Sequence, residues 1–335
     1  MHELMLETSR PVAGTIPVTS PFDGRELDQV ETGGVEHVDD ALRTAYELFR
    51  DKPRWLPVPE RLEILNRAAD LMRSQIEELT LLAASEGGKP YNDSKVEVIR
   101  AVDGVRLCAE TLRTYAGSVI PLGTTQASSG RLAFTQKEPI GVVVAVSAFN
   151  HPLNLIVHQV GPAVAAGCPS IVKPAADTPL SCPRFVEILR EAGLPNAWCQ
   201  AIATDDRDTA EKLVTDPRVG FFSFIGSARI GWMLRSKLAP GTRCALEHGG
   251  AAPAILADPT TRNWPLLQYS RAVFIMPVRS SSRCKECLRR LRTRAILRRH
   301  SPKVRRHSLS GRRKMHIRML VHSFDRERSI VLPNG

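Results

Sequence analysis

Acidic residues nearly vanish from the final stretch of this 335-residue chain. Residues 259–335 hold 3 Asp+Glu against 20 Lys+Arg, a net of +17, whereas residues 1–258 hold 32 against 26, a net of −6. The overall +11 therefore averages two unlike pieces. Long apolar runs are missing too, so no membrane-spanning segment is expected. The opening MHELMLETSRPV has no uninterrupted apolar stretch, which excludes a secretory signal of ordinary form. Cysteine is sparse. Cys108, Cys168, Cys182, Cys199 and Cys244 are scattered through the first piece without metal-ligand spacing. That pattern excludes a disulfide framework and points to a reducing, cytoplasmic location.

What is there reads as a globular α/β protein with room for two or three compact units. Val38–Asp51 carries Val38, Ala41, Leu42, Ala45, Leu48 and Phe49 at helical spacing. Pro59–Ser85 does the same with Leu62, Leu65, Ala69, Met72, Ile76 and Leu79, and Gly87, Gly88 and Pro90 stop it. Lys95–Ala116 is a third helix. Ser129-Gly130 reads as a turn between two extended arms, 119–125 and 131–136. Beyond residue 139 the pattern changes. Gly141–Val146 is a continuous apolar run, expected to be a strand buried on both faces. A helix over His158–Ala166, a strand over Ser170–Val172, a helix over Arg184–Ala192 and a strand over Phe221–Ile225 follow, with another helix from Ser227. Such alternation predicts a doubly wound, Rossmann-like parallel sheet, in which ligands sit beyond the carboxyl ends of the strands.

Four strand ends carry residues with chemistry. The first is Val146-Ser147-Ala148-Phe149-Asn150, where the Asn150 amide has the donors to stabilise an oxyanion or, equally, to form a turn. The second is Lys173-Pro174-Ala175-Ala176. A lysine there can hold a ribose or phosphate, although lysines after strands are common. The third runs from Gly226 and Ser227 to Gly231, where glycine and free helix-start amides suit a phosphate. It is not G-x-G-x-x-G, and alone it is weak. The fourth is Glu247-His248-Gly249-Gly250, where Glu247 is either a general base or a surface acid in a glycine turn. His248 reads more readily as a packing or backbone-bracing residue than as a catalytic one.

Taken in order, E-P-I-G-V-V-V-A-V-S-A-F-N-H-P-L-N-L, I-V-K-P-A-A-D-T-P, F-F-S-F-I-G-S-A-R-I-G and A-L-E-H-G-G-A-A-P resemble the aldehyde dehydrogenase superfamily over residues from about 20 to 258. Pro21–Gly24 and Glu86–Pro90 also fit. The resemblance implies an enzyme that oxidises an aldehyde to a carboxylic acid with NAD or NADP. In that reaction a cysteine thiolate attacks the aldehyde, hydride passes to the nicotinamide and water releases the acid. It implies that Asn150 is the oxyanion donor, Glu247 activates the water, Lys173 meets the adenosine ribose and Ser227 meets the pyrophosphate. The flanking residues Val146–Phe149, Pro174–Ala176, Gly226, Gly231, His248 and Gly249 line the cofactor by the same resemblance. It also implies a homo-oligomer, to which the 119–139 hairpin contributes. Two positions depart from the pattern. His248 stands where the family usually has leucine, and Ala176 where many NAD-preferring members have glutamate, which leaves NADP use open.

The family's glycine-rich nucleophile segment, resembling G-G-F-Y-H-A-G-Q-V-C-V-S-V-Q-R-V, is not found in the chain as translated. Over Arg271–Leu288, reading the third base of each codon with the first two bases of the next makes Met276-Pro277 alanine. It also makes Cys284-Lys285 glutamine, barring a stop. The other codons permit G-G-F-Y-H-A-G-Q-V, one residue, then V-S-V-Q-R-V. The same offset over Ile317–Asn334 permits a second family-like segment. At Ser280-Ser281 the shifted codon has T or A in second place, so it cannot encode cysteine. Residues 259–335 are therefore expected to be a frameshift-derived basic tail, with no packed core and no regular sheet register over 262–335 and some helix around Lys285–Arg299. Cys284 and Cys287 are not expected to bind metal. The arginine-rich runs have the charge for nucleic acid, but a shifted GC-rich frame supplies arginine without any such function. The expectation is a truncated cofactor domain over 1–258 that lacks its nucleophile and is inactive. The alternative is a non-enzymatic nucleotide-binding or basic nucleic-acid-binding protein. A sequence of codons 258–265 without an insertion or deletion would argue against the shifted frame.

Overall fold

The structure is a computed structural model and describes residues 1–204, 206–250, 253–255 and 286–288. An antiparallel hairpin opens it, β1 (Gly14–Thr19) and β2 (Glu26–Thr32), turning through Pro21–Gly24. Four helices follow: α1 (Val35–Arg50), α2 (Val58–Ser74), α3 (Ile76–Gly87) and α4 (Tyr91–Thr114). The apolar stripe of α1 is buried as its spacing predicts. The single helix expected over 59–85 is two helices. Gln75 leaves the helical region, with φ −111° and ψ 21°. The apolar period passes through this break because Leu65, Ala69 and Met72 before it and Leu79 after it enter one core cluster. Gly88 adopts the left-handed conformation (φ 59°) that ends α3. Helix α4 begins directly after Pro90, a turn earlier than the spacing suggests. The two arms expected to either side of Ser129 shrink to two-residue strands, β3 (Val119–Ile120) and β4 (Ala133–Phe134), paired antiparallel.

The rest is strand and helix in alternation: β5 (Val142–Val146), α5 (Pro152–Ala166), β6 (Ser170–Lys173), α6 (Ser181–Glu191), β7 (Cys199–Ala201), α7 (Arg207–Thr215), β8 (Val219–Gly226), α8 (Ala228–Arg235) and β9 (Arg243–His248). The strands form one parallel sheet in the order β7-β6-β5-β8-β9. The chain winds outward from β5 to one side, then returns to lay β8 and β9 on the other. The doubly wound expectation therefore holds, with its switch point between β5 and β8. Helix α5 starts at Pro152 rather than His158, because proline suits the first helical turn, where its missing N–H costs nothing. Strand residues alternate between two layers. Ala145, Val172 and Cys199 pack with α2, α4, α5 and α6, while Val142, Val144, Ile171 and Phe222 pack with α1 and α7.

Two further strands, β10 (Pro253–Ile255) and β11 (Glu286–Leu288), pair in parallel with each other and belong to a unit separate from Met1–Gly249. The expectation of no sheet register in the tail is thus corrected at 286–288, and the helix expected around 285–299 is strand at those three residues. The remainder of that stretch lies outside the described residues. Among the described residues no helix is long and apolar enough to cross a membrane.

Candidate functional site

Parallel pairing puts every carboxyl end of the five-stranded sheet on one edge. In register, Val146 lies opposite Lys173 on one side and Phe224 on the other, Ile225 opposite Glu247, and Gly226 opposite His248. All four segments singled out in the sequence therefore meet along the edge that flanks the switch point. Val146 ends β5, and Ser147, Ala148, Phe149 and Asn150 form the loop into α5. Lys173 ends β6, and Pro174, Ala175 and Ala176 turn away from it, with Thr178 N–H donating to the Ala175 carbonyl at 3.2 Å. Gly226 ends β8, Ser227 is the N-cap of α8 and Gly231 lies in the first turn of α8. Glu247 and His248 end β9, and Gly249 follows.

The β5–α5 loop is pinned from three sides. Ser147 N–H donates to the Lys173 carbonyl at 3.0 Å, Thr178 Oγ1 to the Phe149 carbonyl at 3.4 Å and Lys89 Nζ to the Asn150 carbonyl at 3.1 Å. The Ser147 hydroxyl is buried at this edge with no partner among the described residues. A buried orphan of this kind at a strand end suits a ligand group. Beneath the switch point Gln159 Nε2 donates to the carbonyls of Val146 (3.2 Å) and Ser223 (2.9 Å) and to the Ser223 hydroxyl (3.1 Å), tying α5 to β5 and β8.

Helix α8 offers the phosphate-type site. The Ser227 side chain makes no capping bond, so the first amides of α8 keep their donors. Gly231 allows α8 to lie against β9, since a methyl there would stand 2.2 Å from His248 Nε2. The His248 ring packs between Phe224 and Trp232, at centroid distances of 6.1 and 5.6 Å. This placement matches the packing role read from the sequence. Glu247 is exposed on the opposite face of β9, which leaves its carboxylate open to solvent. His158 on α5 lies within electrostatic reach of it. Desolvation lowers the His158 pKa and the Glu247 charge opposes that shift.

Four described cysteines, Cys108, Cys168, Cys182 and Cys199, are held as thiols. Burial pushes the Cys108 and Cys199 thiols up to about 11, and raises Cys168 and Cys182 as well. A thiol raised this far stays protonated at neutral pH. Cys284 lies outside the described residues.

Sequence reading missed Lys89, Glu97, Gln159 and His158. Lys89 and Glu97 lie far from Asn150 along the chain, and no local pattern signals a contact of that separation. Gln159 sits within a helical stripe and reads as an ordinary polar position.

Comparison with known proteins places this geometry. The family model for the aldehyde dehydrogenase family matches residues 8–274. A 3-sulfolactaldehyde dehydrogenase of Priestia aryabhattai is 39% identical over 197 residues, which are 59% of this chain and 41% of that protein. The crystal structure of PnpE in complex with nicotinamide adenine dinucleotide superposes with a TM-score of 0.80 and 28% identity, over 89% of this chain and 61% of PnpE. A glyceraldehyde-3-phosphate dehydrogenase of Methanocaldococcus jannaschii complexed with NADP superposes with a TM-score of 0.78 and 26% identity, over 86% of this chain and 62% of that one. The chain thus spans under half the length of the curated relative, and the family match starts before residue 20 and runs beyond residue 258. On these grounds the chain belongs to the aldehyde dehydrogenase family.

Proposed function

We propose that this chain carries the dinucleotide-holding half of an aldehyde dehydrogenase site and does not oxidise aldehydes. The observation that supports it is the alignment of four strand ends on one sheet edge, together with the burial that keeps Cys108, Cys168, Cys182 and Cys199 as thiols. The residues present fit a dinucleotide. Ser227 and the first amides of α8 would take the pyrophosphate, and Lys173 a ribose hydroxyl. Ser147 and the loop from Val146 to Asn150 would face the nicotinamide end. Bound NAD(P)+ would supply the hydride acceptor. Asn150 would donate to an oxyanion and Glu247 would take a proton from water, and both roles await a nucleophile, which the buried thiols of Cys108, Cys168, Cys182 and Cys199 do not provide. Ala176 offers no carboxylate to repel a 2′-phosphate, so NADP and NAD are both admitted. The dispersed thiols favour a cytoplasmic setting.

The basic remainder beyond 258 is read here as the family's missing half in a shifted frame. The family match in the translated frame continues past 258 to residue 274, so a change of frame would lie beyond the 258 boundary read from the sequence. Sequencing codons 258–275 against a full-length relative tests this, and the absence of any one-base insertion or deletion would contradict it. Calorimetric titration with NAD+ and NADP+ tests the half-site. Weak binding is expected, and Lys173→Met should weaken it about tenfold, as loss of one charge-assisted hydrogen bond would. Binding that is indifferent to Lys173→Met would contradict the placement.

A further inference from the structure

Glu97 lies on α4 with its side chain fully buried, and its carboxylate serves elements far from it in sequence. Its Oε1 accepts the backbone N–H of Leu153 at 3.0 Å and of Asn154 at 3.3 Å, the free amides at the start of α5. Its Oε2 meets Lys89 Nζ and lies 3.3 Å from His151 Nδ1, the N-cap residue of α5. The Lys89 ammonium, its side chain 8% exposed, also donates to the Asn150 carbonyl at 3.1 Å. A buried lysine and a buried glutamate are costly alone and stable together only when their remaining hydrogen bonds are satisfied. Here they are satisfied by the loop that presents Asn150. Burial pushes the Glu97 carboxyl up, but His151 and Lys89 more than offset it and hold the group below its usual range.

We propose that Lys89 and Glu97 are positioning residues for Asn150: the pair pins the Asn150 carbonyl and the first turn of α5, and so fixes where the Asn150 amide points. This rests on the reading of Asn150 as the oxyanion donor. With its carbonyl held by Lys89 and the preceding carbonyl of Phe149 held by Thr178, the loop has little freedom to rotate. Glu86 sets a precedent in the same layer, since its buried carboxylate accepts Leu180 N–H (2.7 Å) and Ser181 N–H (3.0 Å) at the start of α6. Only the Glu97 site adds a cation that reaches back to a candidate functional residue.

Amide exchange and side-chain amide NMR on the full chain test the proposal. In the unaltered protein Leu153 and Asn154 amides should exchange as slowly as those of β5, whereas first-turn amides without an acceptor exchange fast. Fast exchange at both overturns the proposal without any variant. Lys89→Met should shift the Asn150 side-chain NH2 resonances. It should also speed exchange over residues 150–154 about tenfold, a local loss of about 1.4 kcal/mol, and leave α7 and β9 unchanged. Adding Glu97→Gln should move the Asn150 resonances little further, because both changes cut one network. Unmoved resonances in Lys89→Met, or equal acceleration across the whole sheet, would reduce the pair to a general packing role. Dinucleotide titration of the unaltered chain is read separately. Its failure would remove the cofactor reading and leave the brace standing.

Discussion

Glu86 is a carboxylate whose titration folding moves into the neutral range. Fully buried beside α6, it has its pKa pushed up to about 7, first by desolvation, against the opposing hydrogen bonds from Ser181 and Leu180. The sign follows from linkage. The folded pKa lies above the unfolded value of 4.5, so the native state holds the proton more tightly between the two. The stabilisation is complete below pH 4.5 and is lost as pH rises through about 7. A shift of that size corresponds to about 3 kcal/mol. His158, with its pKa lowered from 6.5, works the other way, its contribution being lost as pH falls below that value. Urea midpoints for the unaltered chain and for Glu86→Gln therefore need comparison between pH 5 and pH 8. The unaltered chain should lose stability with rising pH relative to the variant, and parallel profiles would contradict the shift. The cysteines give a second test at this scale. Thiol labelling of the folded chain, mapped by mass spectrometry, should spare Cys108, Cys168, Cys182 and Cys199, which burial raises. Rapid native labelling at any of the four would show a thiol more reactive than its surroundings allow.

At the scale of elements, the contact between α8 and β9 is the tightest at the candidate site. Any Cβ at position 231 meets the His248 ring and also stands 3.0 Å from Phe224. Gly231→Ala should destabilise the chain by about 1–3 kcal/mol through overpacking. His248→Ala in the same chain should recover part of that loss but not all, since Phe224 stays in place. Full additivity of the two changes in denaturant unfolding would show that the ring does not fill this space. The same scale shows what the sequence makes legible. Strands β5, β6 and β8 are apolar runs with helices between them, and their order and spacing mark the parallel sheet before any coordinates. β7 has three residues and β9 alternates half-buried with exposed positions, so neither stands out as a run. Helix α7 went unread in the sequence, although Asp206, which caps the N–H groups of Asp208 and Thr209, is a residue of the kind that starts helices. The break at Gln75 has no such cue, because apolar spacing reports which face is buried and not whether the backbone is continuous. Asn150, Lys173, Ser227 and Glu247 stood out because each lies at or just after the end of a strand. Lys89 and Glu97 were not, since their partners are fixed only by the packing of α4 against α5.

For the molecule as a whole, the β3–β4 hairpin leaves Val119 (71% exposed), Leu132 (78%) and Phe134 (68%) in solvent. Apolar side chains clustered on a two-stranded ribbon favour self-association. Light scattering should show concentration-dependent association that Leu132→Ser with Phe134→Ser reduces, and identical association in the variant would move the cause elsewhere. The central claim is that this family member holds a cofactor edge without a working nucleophile. The most direct measurement is NAD(P)H formation by the purified chain with aliphatic and aromatic aldehydes, against a Glu247→Gln control. No turnover above the control is the predicted result. Sustained turnover that Glu247→Gln abolishes would contradict the claim and reveal a thiol that completes the site.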